Sequence, residues 1–149
     1  MIPAPQHVAG IIGKWGCYFL SILRKAEEVL GRDLDPMGEF SNSVTEGFLR
    51  SADSFVLDPA RLLASFIGGT WTVLKAGVGA DSAGRPYDLP LAYKCDSREV
   101  EILRYEIAGT EGHFVLGDGV GGIAWDSFGK SITASKGKLV SKRIFRRIA

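Results

Sequence analysis

The chain reads as an α+β fold in which N-terminal helices pack on a C-terminal, mainly antiparallel sheet. Two observations carry that reading. Apolar residues recur at helical spacing only as far as Ile67, and after Gly69 they regroup into short segments rich in β-branched and aromatic side chains. With 149 residues and 46% apolar content, one domain over residues 1–149 has enough side chain to bury a core.

The first helix is expected from Cys17 to Leu30. Tyr18, Leu20, Ile22, Leu23, Ala26, Val29 and Leu30 fall at three- and four-residue steps, and Gly31 supplies the left-handed stop. Pro3, Pro5, Gly10, Gly13 and Gly16 keep the preceding segment irregular, which puts Cys17 in the first turn. A second helix over Pro36 to Leu49 follows from the spacing of Met37, Phe40, Val44 and Phe48. The third has the clearest start: Asp58 can cap the free amides and Pro59 takes the first helical position, while Gly68-Gly69 end the helix. Five strands are then expected at Trp71 to Leu74, Val100 to Ile107, His113 to Leu116, Ile123 to Trp125 and Val140 to Phe145, with Gly77 to Pro90 a long surface loop.

The formal charge is +1, which gives no global pull toward nucleic acid, anionic lipid or acidic substrates. No apolar run approaches the roughly 20 residues of a membrane helix, and the first residues lack the pattern of a secretory signal. The expectation is a cytoplasmic protein, or one released without a classical signal peptide. Two cysteines, Cys17 and Cys95, are a weak basis for a disulfide.

Chemistry enters with Cys17, His113 and Asp126. A thiol, an imidazole and a carboxylate are the parts of a cysteine nucleophile with its base and its orienting acid, and such groups meet in the fold rather than along the chain. A helix start and a nearby imidazolium both favour the thiolate. Alternation puts His113, Val115 and Gly117 on one sheet face and Phe114 and Leu116 on the other. Gly117 to Gly122 can then turn the chain back so that Ile123-Ala124-Trp125 pairs with the His113 strand and delivers Asp126 near its end. Each residue also has a plainer reading: Cys17 as a small buried hydrophobe, His113 as a structural histidine, and Asp126 as a turn former ahead of Ser127 and Gly129.

Gly16-Cys17-Tyr18-Phe19 at a helix start, Gly112-His113-Phe114-Val115-Leu116-Gly117-Asp118 and Ile123-Ala124-Trp125-Asp126-Ser127-Phe128 together resemble the papain-like cysteine peptidases. The likeness is to their compact branch, which includes the peptidases that remove double-glycine leaders from bacteriocins, and to uncharacterised bacterial and phage relatives. The resemblance implies that Cys17 attacks an amide or related acyl carbon, that His113 activates the thiol and protonates the leaving amine, and that Asp126 orients His113. It also implies an oxyanion site built from the Cys17 amide and an upstream Gln. Positions 7 to 16 hold no Gln, so Gln6 is the candidate, with His7, Lys14 and the Trp15 indole as alternatives.

Other signals are weaker. Gly117-Asp118-Gly119-Val120-Gly121-Gly122 fits a dinucleotide fingerprint, but a strand rather than a helix is expected next, which leaves no cradle for a pyrophosphate. The histidines and cysteines lack the close ligand pairs of a structural zinc site. Residues 136 to 149 carry six Lys and Arg with no acid, a pattern expected of a terminal strand with a solvated basic edge. The sequence therefore predicts a cysteine hydrolase, a peptidase or amidase, that works through a Cys-His-Asp triad and a thioester without a cofactor or metal. Its substrate would be a peptide, a protein or a cell-wall peptide, with neither nucleic acid nor membrane as partner. The alternative is a catalytically silent papain-like domain that binds a protein or peptide of phage or secretion origin. A third possibility, nucleic-acid binding by the basic tail, would rest on Arg143, Arg146 and Arg147.

Overall fold

The structure is a computed structural model that describes residues 16–107, 112–129 and 131–149, the side chain of Ile132 excepted. Three helices come first: α1 (Gly16–Leu30), α2 (Pro36–Thr45) and α3 (Pro59–Ile67). Strands β1 (Trp71–Gly77), β2 (Glu99–Glu106), β3 (His113–Gly117) and β4 (Ile123–Trp125) follow, then a short helix α4 (Ile132–Lys136) and strand β5 (Lys138–Arg147).

The apolar stripe of α1 buries Phe19, Leu20, Ile22, Leu23 and Ala26, and the helix stops where Gly31 takes φ 69°. Asp58 caps α3 by accepting from the Arg61 amide at 3.2 Å, with Pro59 in the first turn as expected. The second helix is shorter than its spacing predicts. It ends at Thr45, because Gly47 at φ 83° turns the chain, and Phe48 and Leu49 are buried outside it, where Leu49 bridges Val56.

All pairings in the sheet are antiparallel, in the order β1-β5-β2-β3-β4. The basic C-terminal segment is therefore not an edge, as the sequence suggested. β5 lies between β1 and β2 and pairs with both, and its consecutive residues Ile144 and Phe145 are fully buried, one on each face of the sheet. One face of the sheet presents Val100, Ile102, Phe114, Leu116 and Phe145 to α1 and α3. The other carries Leu103 and Val115, covered by Ala134 of α4. Burying each such Leu or Phe contributes about 1.5–3 kcal/mol, so the helix-facing side dominates the stability of the fold. The loop 77–90 folds back on β1, where Lys75 donates to Asp88 and Gly77 to the Leu89 carbonyl.

Candidate active site

α1 and β3 pack on each other, and that contact sets the site. Cys17 is the second residue of the described α1 and is only 2% exposed. The Phe114 amide of β3 donates to the Cys17 Sγ at 3.4 Å, and the Ser21 hydroxyl donates to the Cys17 carbonyl at 2.7 Å. His113, the first residue of β3, is buried as well. Gly112 precedes it, and the Arg104 guanidinium packs close against its Cα.

Asp126 arrives by the predicted hairpin. Asp118 to Gly122 close the turn with an amide-to-carbonyl bond of 2.9 Å, β4 pairs Trp125 with Leu116, and the next residue meets the histidine. His113 Nε2 and Asp126 Oδ1 are 2.8 Å apart, both side chains almost fully buried. Oδ1 also accepts from the Phe128 amide at 2.9 Å, and Oδ2 from the Ser131 amide at 3.1 Å. Asp126 is thus a turn former and a partner of His113 at once, since its two oxygens have capacity for both. The Phe128 ring stacks on the imidazole, 4.7 Å between centroids and 8° between planes, which fixes the ring's plane.

Burial disfavours the imidazolium, but its hydrogen bonds to Asp126 and Cys17 and the charge interactions with them outweigh burial and push the His113 pKa up to about 9. Burial likewise opposes the Asp126 carboxylate, but the His113 bond and the Phe128 and Ser131 amides hold it well below the usual carboxylate range. With Nε2 engaged by Asp126, Nδ1 is the ring nitrogen left for the thiol. Thiol, imidazole and carboxylate then stand in series, an arrangement in which a proton can pass from sulfur to the ring and be held there.

Of the residues singled out from sequence, Cys17, His113 and Asp126 come together. Gln6, His7, Lys14 and Trp15 lie outside the described residues. Cys95 is distant in role: it forms no disulfide with Cys17, and burial plus the acids Glu101 and Glu99 push its thiol up to about 12. The glycine-rich turn does form a small anion cradle, but it is already filled. Glu101 Oε1 accepts from the Gly119 and Gly121 amides at 3.1 Å each, and Gly117 has no room for a Cβ beside that carboxylate. The basic tail is largely spoken for: Lys142 pairs with Glu101 at 3.0 Å, Arg146 with Glu99 at 2.8 Å, and Arg147 lies over Trp71.

Sequence reasoning missed three contributors. Phe128 stood in a quoted motif without a role, and Ser131 caps an α4 too short for periodicity to reveal. The third is a cleft of about 780 Å³ beside the site, between α1, the helix-facing side of the sheet and the 81–87 loop. Its walls include Tyr18 and Phe114, the chain neighbours of Cys17 and His113, together with Phe55, Tyr87, Arg104 and Arg143. Tyr18 stacks on Phe114 at 4.4 Å.

Three N-terminal helices on one face of a five-stranded antiparallel sheet and the short α4 on the other, with a cysteine, a histidine and an aspartate gathered where α1 meets β3, define an α+β protein with a candidate thiol site. The chain belongs to the DUF261 family, proteins of unknown function, whose model matches residues 6–147. No curated protein and no solved structure matches it. Among the described residues, no helix is long and apolar enough to cross a membrane.

Proposed function

We propose that the chain is a papain-like cysteine hydrolase that cleaves a peptide or related amide bond. The observation that carries this reading is the position of His113, bound through Nε2 to Asp126 and hydrogen-bonded to the Cys17 thiol. Cys17 gives its proton to His113, and the sulfur attacks the carbonyl carbon, with the carbonyl π pair moving to oxygen. As the tetrahedral adduct collapses, the C–N bond breaks, the imidazolium protonates the leaving amine, and a thioester remains. Water then adds to the thioester with His113 taking its proton, and the acid departs as the thiol regains a proton. Asp126 holds the ring orientation and stabilises the imidazolium.

The test is intact-protein mass spectrometry after brief iodoacetamide treatment of wild type, Cys17→Ala, Cys95→Ala and His113→Ala. Fast labelling confined to Cys17 and lost with His113→Ala is the expected result. Equal labelling of both cysteines, or labelling of Cys17 indifferent to His113, overturns the reading. Cys17→Ala should keep the fold, at a cost of about 1 kcal/mol, since it removes one buried sulfur.

The 2% exposure of Cys17 favours a second reading, a silent domain that uses the cleft for binding alone. In that case Cys17 resists iodoacetamide in the folded protein and reacts only on denaturation.

A further inference from the structure

The helix-facing side of the sheet changes character along its strands. Toward one end it is wholly apolar, with Val100 opposite Phe145 and Ile102 opposite Leu116. Toward the other, the same face carries Lys75 opposite Arg143 and Arg104 opposite both Ser141 and Phe114. This basic stretch lines the cleft together with Tyr18 and Phe114, and Phe114 links it to the thiol: its amide donates to the Cys17 Sγ at 3.4 Å and its ring lies under Arg143.

Charges in the cleft are unevenly matched. Lys75 faces Asp81 at 4.0 Å, and Arg104 pairs with Glu106. Arg143 has no carboxylate partner among the described residues. Among the described residues it donates only to the Ser141 hydroxyl at 3.1 Å and the Lys142 carbonyl at 3.4 Å, both from Nη1, and it lies over the Phe114 ring at 5.5 Å. A guanidinium carries five donors, so most of its fork is left unused. An independent observation concerns Tyr18, which lines the same cleft. The Tyr18 hydroxyl is buried without a hydrogen-bond partner among the described residues, and its charge interaction is with Arg143. Buried polar groups left unsatisfied in this way cost about 1–3 kcal/mol, a cost relieved by a bound group that pairs with them.

We infer that Arg143 and Tyr18 form a carboxylate-binding subsite in the cleft, and that the substrate carries an acidic group close to the scissile bond. The assignment rests on the hydrolase reading for its site and deepens it by naming a substrate class. A carboxylate accepts from two donors of a planar guanidinium side by side and retains acceptor capacity for a phenol, which matches the donors present. The acid belongs to a peptide, as a side chain or a chain terminus. The loop residues 81–87 roof the subsite.

The experiment uses the full chain and self-normalised alkylation rates of Cys17. Bromoacetyl-glycine and bromoacetyl-glutamate are compared with their neutral amides by intact mass. In wild type the acids should react about tenfold faster than the amides, the gain typical of charge-assisted hydrogen bonds. Arg143→Gln should bring the ratio to about one, Arg143→Lys should restore part of it, and Tyr18→Phe should lower it severalfold. Equal rates for acids and amides in wild type, or a ratio that survives Arg143→Gln, overturn the subsite. If Arg143→Gln fails to fold, wild type alone decides: acetyl-glutamate should slow iodoacetamide labelling of Cys17 more than acetyl-glutamine does, and no difference overturns the inference. Stronger protection by inorganic phosphate than by acetyl-glutamate overturns the carboxylate assignment in favour of a phosphate. Selective iodoacetamide labelling of Cys17 that depends on His113, without any preference for acids, sinks this inference while leaving the hydrolase reading standing.

Discussion

Two buried carboxylates in this protein are built from nearly the same parts, and they sit beside different cysteines. Asp126 accepts from two turn amides and from His113, with Cys17 beyond the ring. Glu101 accepts from two turn amides and pairs with Lys142, with Cys95 alongside. The order of charges differs. At the first site an imidazole stands between acid and sulfur. At the second, Glu101 and Glu99 face the sulfur directly and Lys142 offsets them only in part, so burial and like charge push the Cys95 thiol up to about 12. The different placement of acid and imidazole around the two sulfurs predicts that Cys17 alkylates faster than Cys95.

The largest test of the comparison is Lys142→Met. It removes the only cation paired with Glu101 among the described residues and leaves a carboxylate buried at 2% exposure, which should cost about 3–5 kcal/mol. Thermal unfolding should show a drop of roughly 10 °C. A change within about 2 °C would mean that the turn amides alone hold Glu101.

The next test is pH. A raised His113 pKa contributes stability that is fully present below its unfolded value of about 6.5 and is lost as pH rises through about 9. The depressed Asp126 contributes stability that is present above about 4 and lost on acidification. Urea denaturation of wild type relative to His113→Ala should therefore show its largest gap between about pH 4 and 6.5, closing by on the order of 2 kcal/mol toward pH 9. A gap independent of pH would contradict the pairing. By the same logic, turnover of a peptide substrate should fall above about pH 9, where His113 no longer holds the proton for the leaving amine.

Asp126→Asn sharpens the first site. The amide keeps the shape but cannot hold the imidazolium by charge, so the His113 titration followed by NMR should move down by roughly one unit or more. Stability should fall by about 1–3 kcal/mol. The smallest effect is expected at the other cysteine. Glu99→Gln removes one of the acids facing Cys95 and should speed its alkylation severalfold without altering the Cys17 rate. An unchanged Cys95 rate would assign its inertness to burial alone.

Much of this was legible before any coordinates. The 3.6-residue stripe of α1, the Asp58-Pro59 start of α3 and the period-two segments from Trp71 onward are local signals, and local signals survive folding when each agrees with burial. The hairpin that delivers Asp126 was legible for the same reason, because Gly117 to Gly122 hold the turn chemistry that closes it. The second helix was overrun, since Phe48 keeps the helical spacing of Val44 while Gly47 ends the helix. α4 was invisible, because five residues cannot display a period.

The sequence by itself determined most of the inventory: the three N-terminal helices and the five strands, and that a thiol, an imidazole and a carboxylate were available. It determined this because propensity, periodicity and turn residues act over a few positions. Only the tertiary structure decided neighbours. It placed β5 inside the sheet rather than at its edge, set Glu101 into the glycine cradle, stacked Phe128 on His113 and left Arg143 without an ion-pair partner among the described residues. Each depends on strand order and register, which are fixed by which buried faces fit together across the whole chain and leave no mark at short range.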